Sequence, residues 1–118
     1  MTSICIISSH APYGSTLVRD GIETLLVAAS YDFEAALLVL GEGVLQLLES
    51  QSPDALPQKN TASMAQALEL YGVEKIYVCR EDLVTFGLDE RDLLLSVQLI
   101  NHADVADLLQ NYDHVLSF

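Results

Sequence analysis

The chain has 118 residues, 51% of them hydrophobic, and 17 Asp and Glu against 5 Lys and Arg, for a formal net charge of −12. That length predicts a single domain spanning residues 1–118, with a core that needs neither disulfides nor a metal to hold it. The acidic balance excludes direct nucleic acid binding, because gripping a phosphate backbone takes clustered cations.

Nor does any apolar run approach the roughly 18 residues of a membrane span. The first residues lack the basic start and small-residue cleavage site of a secretory signal, so a cytoplasmic location is expected. Two cysteines, Cys5 and Cys79, make no disulfide framework and fit a reducing compartment. The hydrophobic fraction is high for a small soluble monomer, so part of it is expected on the surface, covered by another subunit.

In chain order, Ser3 to Ser9 holds the run Ile4-Cys5-Ile6-Ile7 and reads as a central strand. His10 to Ser15 is a turn punctuated by Pro12 and Gly14. Ser15 or Thr16 is positioned to cap a helix reaching about Ser30, with Leu17, Val18, Ile22, Leu25, Leu26 and Ala29 recurring on one face. Phe33 to Leu40 is nearly all apolar, as expected of a strand covered on both faces. Gly41-Glu42-Gly43 then turns the chain into a short helix through Val44, Leu45, Leu47 and Leu48.

Glu49 to Lys59, with Pro53 and Pro57, is the one long polar loop. Thr61 to Tyr71 has helical spacing and stops at Gly72. Lys75 to Arg80 centres on Ile76, Tyr77 and Val78, a buried strand; helical spacing follows from Glu81 to Phe86, then a turn at Gly87-Leu88-Asp89. Leu93 to Leu99 is a predicted strand, His102 to Gln110 a helix, and His114 to Phe118 a closing strand. Strands alternating with helices predict a parallel sheet with helices on both faces.

Cys79 is the sharpest candidate for chemistry, because ligands and reactions gather at the carboxyl ends of strands in such sheets. A persulfide carrier needs an accessible thiolate, which Arg80 favours and Glu81 and Asp82 oppose. The plainer alternative is a buried apolar cysteine, which is also the reading of Cys5. His10, just past the first strand, is a weaker candidate as a base on the same edge; a solvated loop histidine is the competing reading. His10, His102 and His114 lie far apart with no cysteine at ligand spacing, so no metal site is predicted, and no cofactor loop is present.

Several segments, in order, resemble the DsrE/DsrF/DsrH-like subunits of sulfur relays, and among them the F-type (TusC/DsrF-like) branch. They are Ala11-Pro12-Tyr13-Gly14, Arg19-Asp20-Gly21, Gly43-Val44-Leu45-Gln46-Leu47-Leu48, Pro53-Asp54-Ala55, Leu70-Tyr71, Tyr77-Val78-Cys79, Gly87-Leu88-Asp89, and the closing run from Asn111 to Phe118. The resemblance implies a three-layer α/β/α sandwich on a five-stranded, largely parallel sheet. It implies a heterohexamer with D-type and B-type sister subunits (TusD-like and TusB-like), taking sulfur from a TusA-like donor toward a TusE-like acceptor for 2-thiolation of the tRNA wobble uridine. In that family Cys79 matches the sulfur-carrying cysteine of the D-type subunit. There it is followed by small neutral residues, where this chain has Arg80-Glu81-Asp82. The expected role is therefore an auxiliary, non-catalytic companion of the D-type subunit. The alternatives are a persulfide-carrying sulfurtransferase through Cys79, a part in dissimilatory sulfur oxidation (DsrF-like), and a homo-oligomeric binding module.

Overall fold

The computed structural model describes residues 2–10, 16–47, 67–68, 70–90, 93 and 97–118. The predicted turn through residues 11–15, the loop 49–59 and most of the helix predicted over 61–71 lie outside them. Five strands form one sheet: β1 (Ser3–Ser8), β2 (Glu34–Val39), β3 (Lys75–Cys79), β4 (Gln98–Ile100) and β5 (His114–Ser117). Their order is β4-β3-β2-β1-β5. Every pairing is parallel, so the sheet is wholly rather than largely so.

The connection from β1 to β2 is helix α1 (Leu17–Ser30), whose buried face is Val18, Gly21, Ile22, Leu25 and Ala28. That stripe meets Ile4, Ile6, Leu37, Val39, Ile76 and Val78, the side chains of one sheet face, to form the main core. Burying each such Leu or Ile contributes about 1.5–3 kcal/mol, which makes this the dominant stabilising layer. Thr16 takes the predicted N-cap position but makes no side-chain cap bond; its hydroxyl donates to Asp20 instead, at 3.3 Å.

The opposite sheet face carries Cys5, Ala36, Leu38 and Tyr77. It is covered by Val105, Leu108, Leu109 and Tyr112. Those residues come from helix α3 (Val105–Leu109) and the chain just after it. The three-layer expectation therefore holds, with a thin second layer. The predicted helix from His102 is a 3-10 turn (His102–Asp104) continued by α3.

Two other boundaries differ from the sequence reading. The fourth strand is Gln98–Ile100 rather than Leu93 to Leu99, with residues 94–96 outside the described residues; its ladder pairs Tyr77 with Gln98, Val78 with Leu99 and Cys79 with Ile100. The helix after β2 is a 3-10 helix that already begins at Gly41 and runs to Leu47. It lies so close to the end of β1 that a Cβ on Gly43 would collide with the Ser8 carbonyl oxygen. The helix ending before β3 closes as predicted, with the Val73 N–H donating to the Leu68 carbonyl at 2.8 Å.

At the other side of the sheet, Phe118 extends the β5 ladder, its N–H donating to the Ile7 carbonyl at 2.8 Å. The Phe118 ring lies against Gly21, where an added Cβ would approach it to 3.2 Å. The closing run of the chain thus pins β5 to both β1 and α1.

Candidate functional site

The carboxyl ends of the strands gather Ser8 to His10, Leu40 and Gly41, Cys79, and Asn101 with His102 along one edge of the sheet. Strand alternation places Cys79 on the same face as Tyr77, opposite Ile76 and Val78. Cys79 ends β3 and stands at the N-cap of helix α2 (Arg80–Thr85). Helix α2 closes with the paired bonds of a glycine-terminated helix: Gly87 N–H to Val84 O and Leu88 N–H to Leu83 O, with Gly87 at φ +67°. The predicted turn at Gly87 to Asp89 is that closure.

Cys79 is fully buried, and its Sγ donates to Glu81 Oε1 at 3.6 Å. Both Glu81 oxygens accept the His102 backbone N–H, each at 3.2 Å. Asp82 follows, with only 12% of its side chain exposed. One of its oxygens accepts the Gly41 N–H at 2.7 Å, and the other lies 3.2 Å from His102 Nε2. The end of β2, the start of α2 and the end of β4 are thereby tied together through two carboxylates.

The electrostatics follow from that arrangement. Burial pushes the Cys79 thiol above its ordinary value. The backbone N–H groups of Asp82 and Glu81 pull it down, and the Asp82 charge and the bond to Glu81 push it back up. The Glu81 carboxyl is held below the usual range, first by its own backbone N–H and then by the His102 N–H and the thiol. At neutral pH the site is a protonated thiol donating to a carboxylate. Such a sulfur is a poor standing nucleophile.

Cys5 is wholly buried in β1, and burial alone raises its thiol to about 11, as befits a core cysteine. His10 is exposed just past β1. The strand order puts β2 between β1 and β3, so the ends of those two strands are about 9.5 Å apart. The histidine brought to Cys79 is His102, which sequence reasoning passed over as too distant. Its signal is positional: His102 is two residues beyond Ile100, the partner of Cys79, as Glu81 is two residues beyond Cys79 itself.

The model of the DsrE/DsrF-like family matches residues 2–118. The chain is 34% identical over 118 residues to "Protein TusC homolog" of Vibrio parahaemolyticus, covering 100% of both chains. A protein of the same name from Pseudomonas aeruginosa is 34% identical over 115 residues, covering 98% of this chain and 97% of that one. Among solved structures, the ychN protein of Escherichia coli superposes with a TM-score of 0.87 at 22% identity, with both chains covered in full. That likeness concerns the fold.

Proposed function

Because the chain belongs to the DsrE/DsrF-like family, we propose that it works as a TusC-like subunit of a sulfur relay complex. It folds as one domain and acts by supporting a D-type sister subunit rather than by carrying the reaction itself. In the finer reading the assembly is a heterohexamer with D-type and B-type subunits. It accepts sulfur from a TusA-like donor and hands it to a TusE-like acceptor, for 2-thiolation of the tRNA wobble uridine. Full-length similarity to proteins named TusC homolog supports the place in a relay.

The observation that carries the companion role is the state of Cys79. A sulfur-relay cysteine gains from being an exposed thiolate, which attacks and is attacked readily. Here the thiol is buried, raised and bonded to a carboxylate. The net charge of −12 also keeps tRNA off this chain, leaving it a distant client of the assembly. Among the described residues no helix is long and apolar enough to cross a membrane.

One feature favours the second reading, in which Cys79 carries a persulfide. The sulfur stands at a strand end with the backbone N–H groups of Glu81 and Asp82 directed at it. A single experiment separates the two. In a strain lacking this gene, wobble 2-thiouridine is measured by nucleoside mass spectrometry after return of the wild-type or the Cys79→Ser gene. The companion role predicts restoration by both. Restoration by wild type alone, with Cys79→Ser still assembling, makes Cys79 the carrier.

A further inference from the structure

We propose that Cys79, Glu81 and His102 form a binding site for a divalent cation of the zinc class, with three protein ligands and an open fourth position. One ligand atom from each residue lies within 4.8 Å of the others. The Cys79 Sγ to Glu81 Oε1 separation is 3.6 Å. A tetrahedral zinc with bonds of about 2.3 Å to sulfur and 2.0–2.2 Å to oxygen sets those two atoms about 3.5 Å apart. That edge of the tetrahedron is already in place, and a His102 ring nitrogen lies within 4.8 Å of it. The ring belongs to a side chain that is 57% exposed.

The donor set suits the ion. A thiolate, an imidazole and a carboxylate make a mixed soft and hard site that favours zinc over magnesium or calcium, which take oxygen ligands. The supporting bonds have the form that tunes metal sites, in which a carboxylate or backbone group orients each ligand. Asp82 lies against His102 Nε2 and is itself held by the Gly41 N–H. Glu81 is held by the His102 N–H. Cys79 is buried while Glu81 and His102 are exposed, so the fourth position faces solvent.

Register explains why these residues converge. β3 and β4 are parallel neighbours with Cys79 opposite Ile100, so the second residue past each strand, Glu81 and His102, arrives at the same edge. On binding, the cation replaces the proton on Cys79, which leaves to solvent, and a sulfur–metal bond forms. The bound cation draws on the sulfur electron pair that would attack a persulfide donor, so metal loading slows sulfur loading at Cys79. The site does not depend on membership of a relay complex.

The test uses the full-length chain, stripped with chelator and titrated with Co(II). The expected result is one equivalent bound per chain, with a thiolate-to-cobalt charge-transfer band in the near ultraviolet and visible bands of a four-coordinate ion. Zn(II) should displace it and should slow alkylation of Cys79 in the wild-type protein, a readout that needs no variant. His102→Ala, at an exposed position, should weaken binding about ten-fold or more, while His114→Ala on β5 leaves it unchanged. Absence of the charge-transfer band, or a band unaltered in His102→Ala, would overturn the site. Failure to associate with sister subunits would overturn the relay reading and leave this result untouched.

Discussion

Asp113 opens β5 with one oxygen accepting both the Ser3 N–H, at 2.9 Å, and the Ser3 hydroxyl, at 3.2 Å. Its own N–H donates back to Ser3 Oγ at 3.0 Å. These bonds, the backbone one foremost, hold the Asp113 carboxyl below its ordinary value. A depressed carboxylate stabilises the fold above its unfolded value of about 4, and that contribution is lost as pH falls through the lower folded value. Asp113→Asn should therefore lower the thermal midpoint at pH 7, with the gap from wild type closing below about pH 4. A gap that stays constant down to acid pH would show that the charge plays no part. At Cys79 the sign runs the other way. Glu81→Gln removes a group that favours the protonated thiol, so alkylation of Cys79 in chelator-containing buffer should speed up by a few-fold. An unchanged or slower rate would mean that burial alone governs the sulfur. Cys79 was legible from its place at a strand end, and Glu81 and Asp82 from their nearness to it. His102 was not, because only the strand order reveals that the ends of β3 and β4 are neighbours while β2 separates β1 from β3.

Helix α1 illustrates how an element can carry a local cost. It closes with the Phe33 N–H on the Ala28 carbonyl and the Asp32 N–H on the Ala29 carbonyl, both at 3.1 Å. The residue that must be left-handed in this closure is Asp32, at φ +64°. An L side chain there costs about 1 kcal/mol against glycine. Its negative charge also sits at the wrong end of the helix dipole. Asp32→Gly should raise stability by about 1 kcal/mol and the melting temperature by about 4 °C; a fall would show that the carboxylate holds the turn. β1, β2 and β3 were readable because strands covered on both faces are continuously apolar, as in Ile4 to Ile7 and Ala35 to Val39. β4 was read too early because the apolar run Leu93 to Leu95 precedes the observed ladder, which starts with Gln98 opposite Tyr77. No local pattern marks where a three-residue ladder begins.

The whole molecule exposes 6381 Å², close to the about 6,300 Å² of a folded monomer of 12.9 kDa. The amount of surface is ordinary, and part of it is apolar. Val27 and Tyr31 at the end of α1, Leu70 and Tyr71 before β3, Val84 on α2, and Val115 and Leu116 on β5 are all well exposed. β5 is also an edge strand whose four residues are all exposed, and nothing among the described residues pairs with its outer side. Such edges and apolar side chains are a liability in a free monomer and an asset in an obligate assembly. The 51% hydrophobic content led to the expectation of apolar surface, but periodicity did not say which elements would carry it. Related chains are expected to cover this exterior. Native mass spectrometry of the chain, produced alone and together with D-type and B-type partners, tests that directly. The predicted result is a hetero-oligomer with two copies of each of the three chains, and poor recovery of the chain by itself. A well-behaved monomer or homo-oligomer that ignores both partners would contradict it.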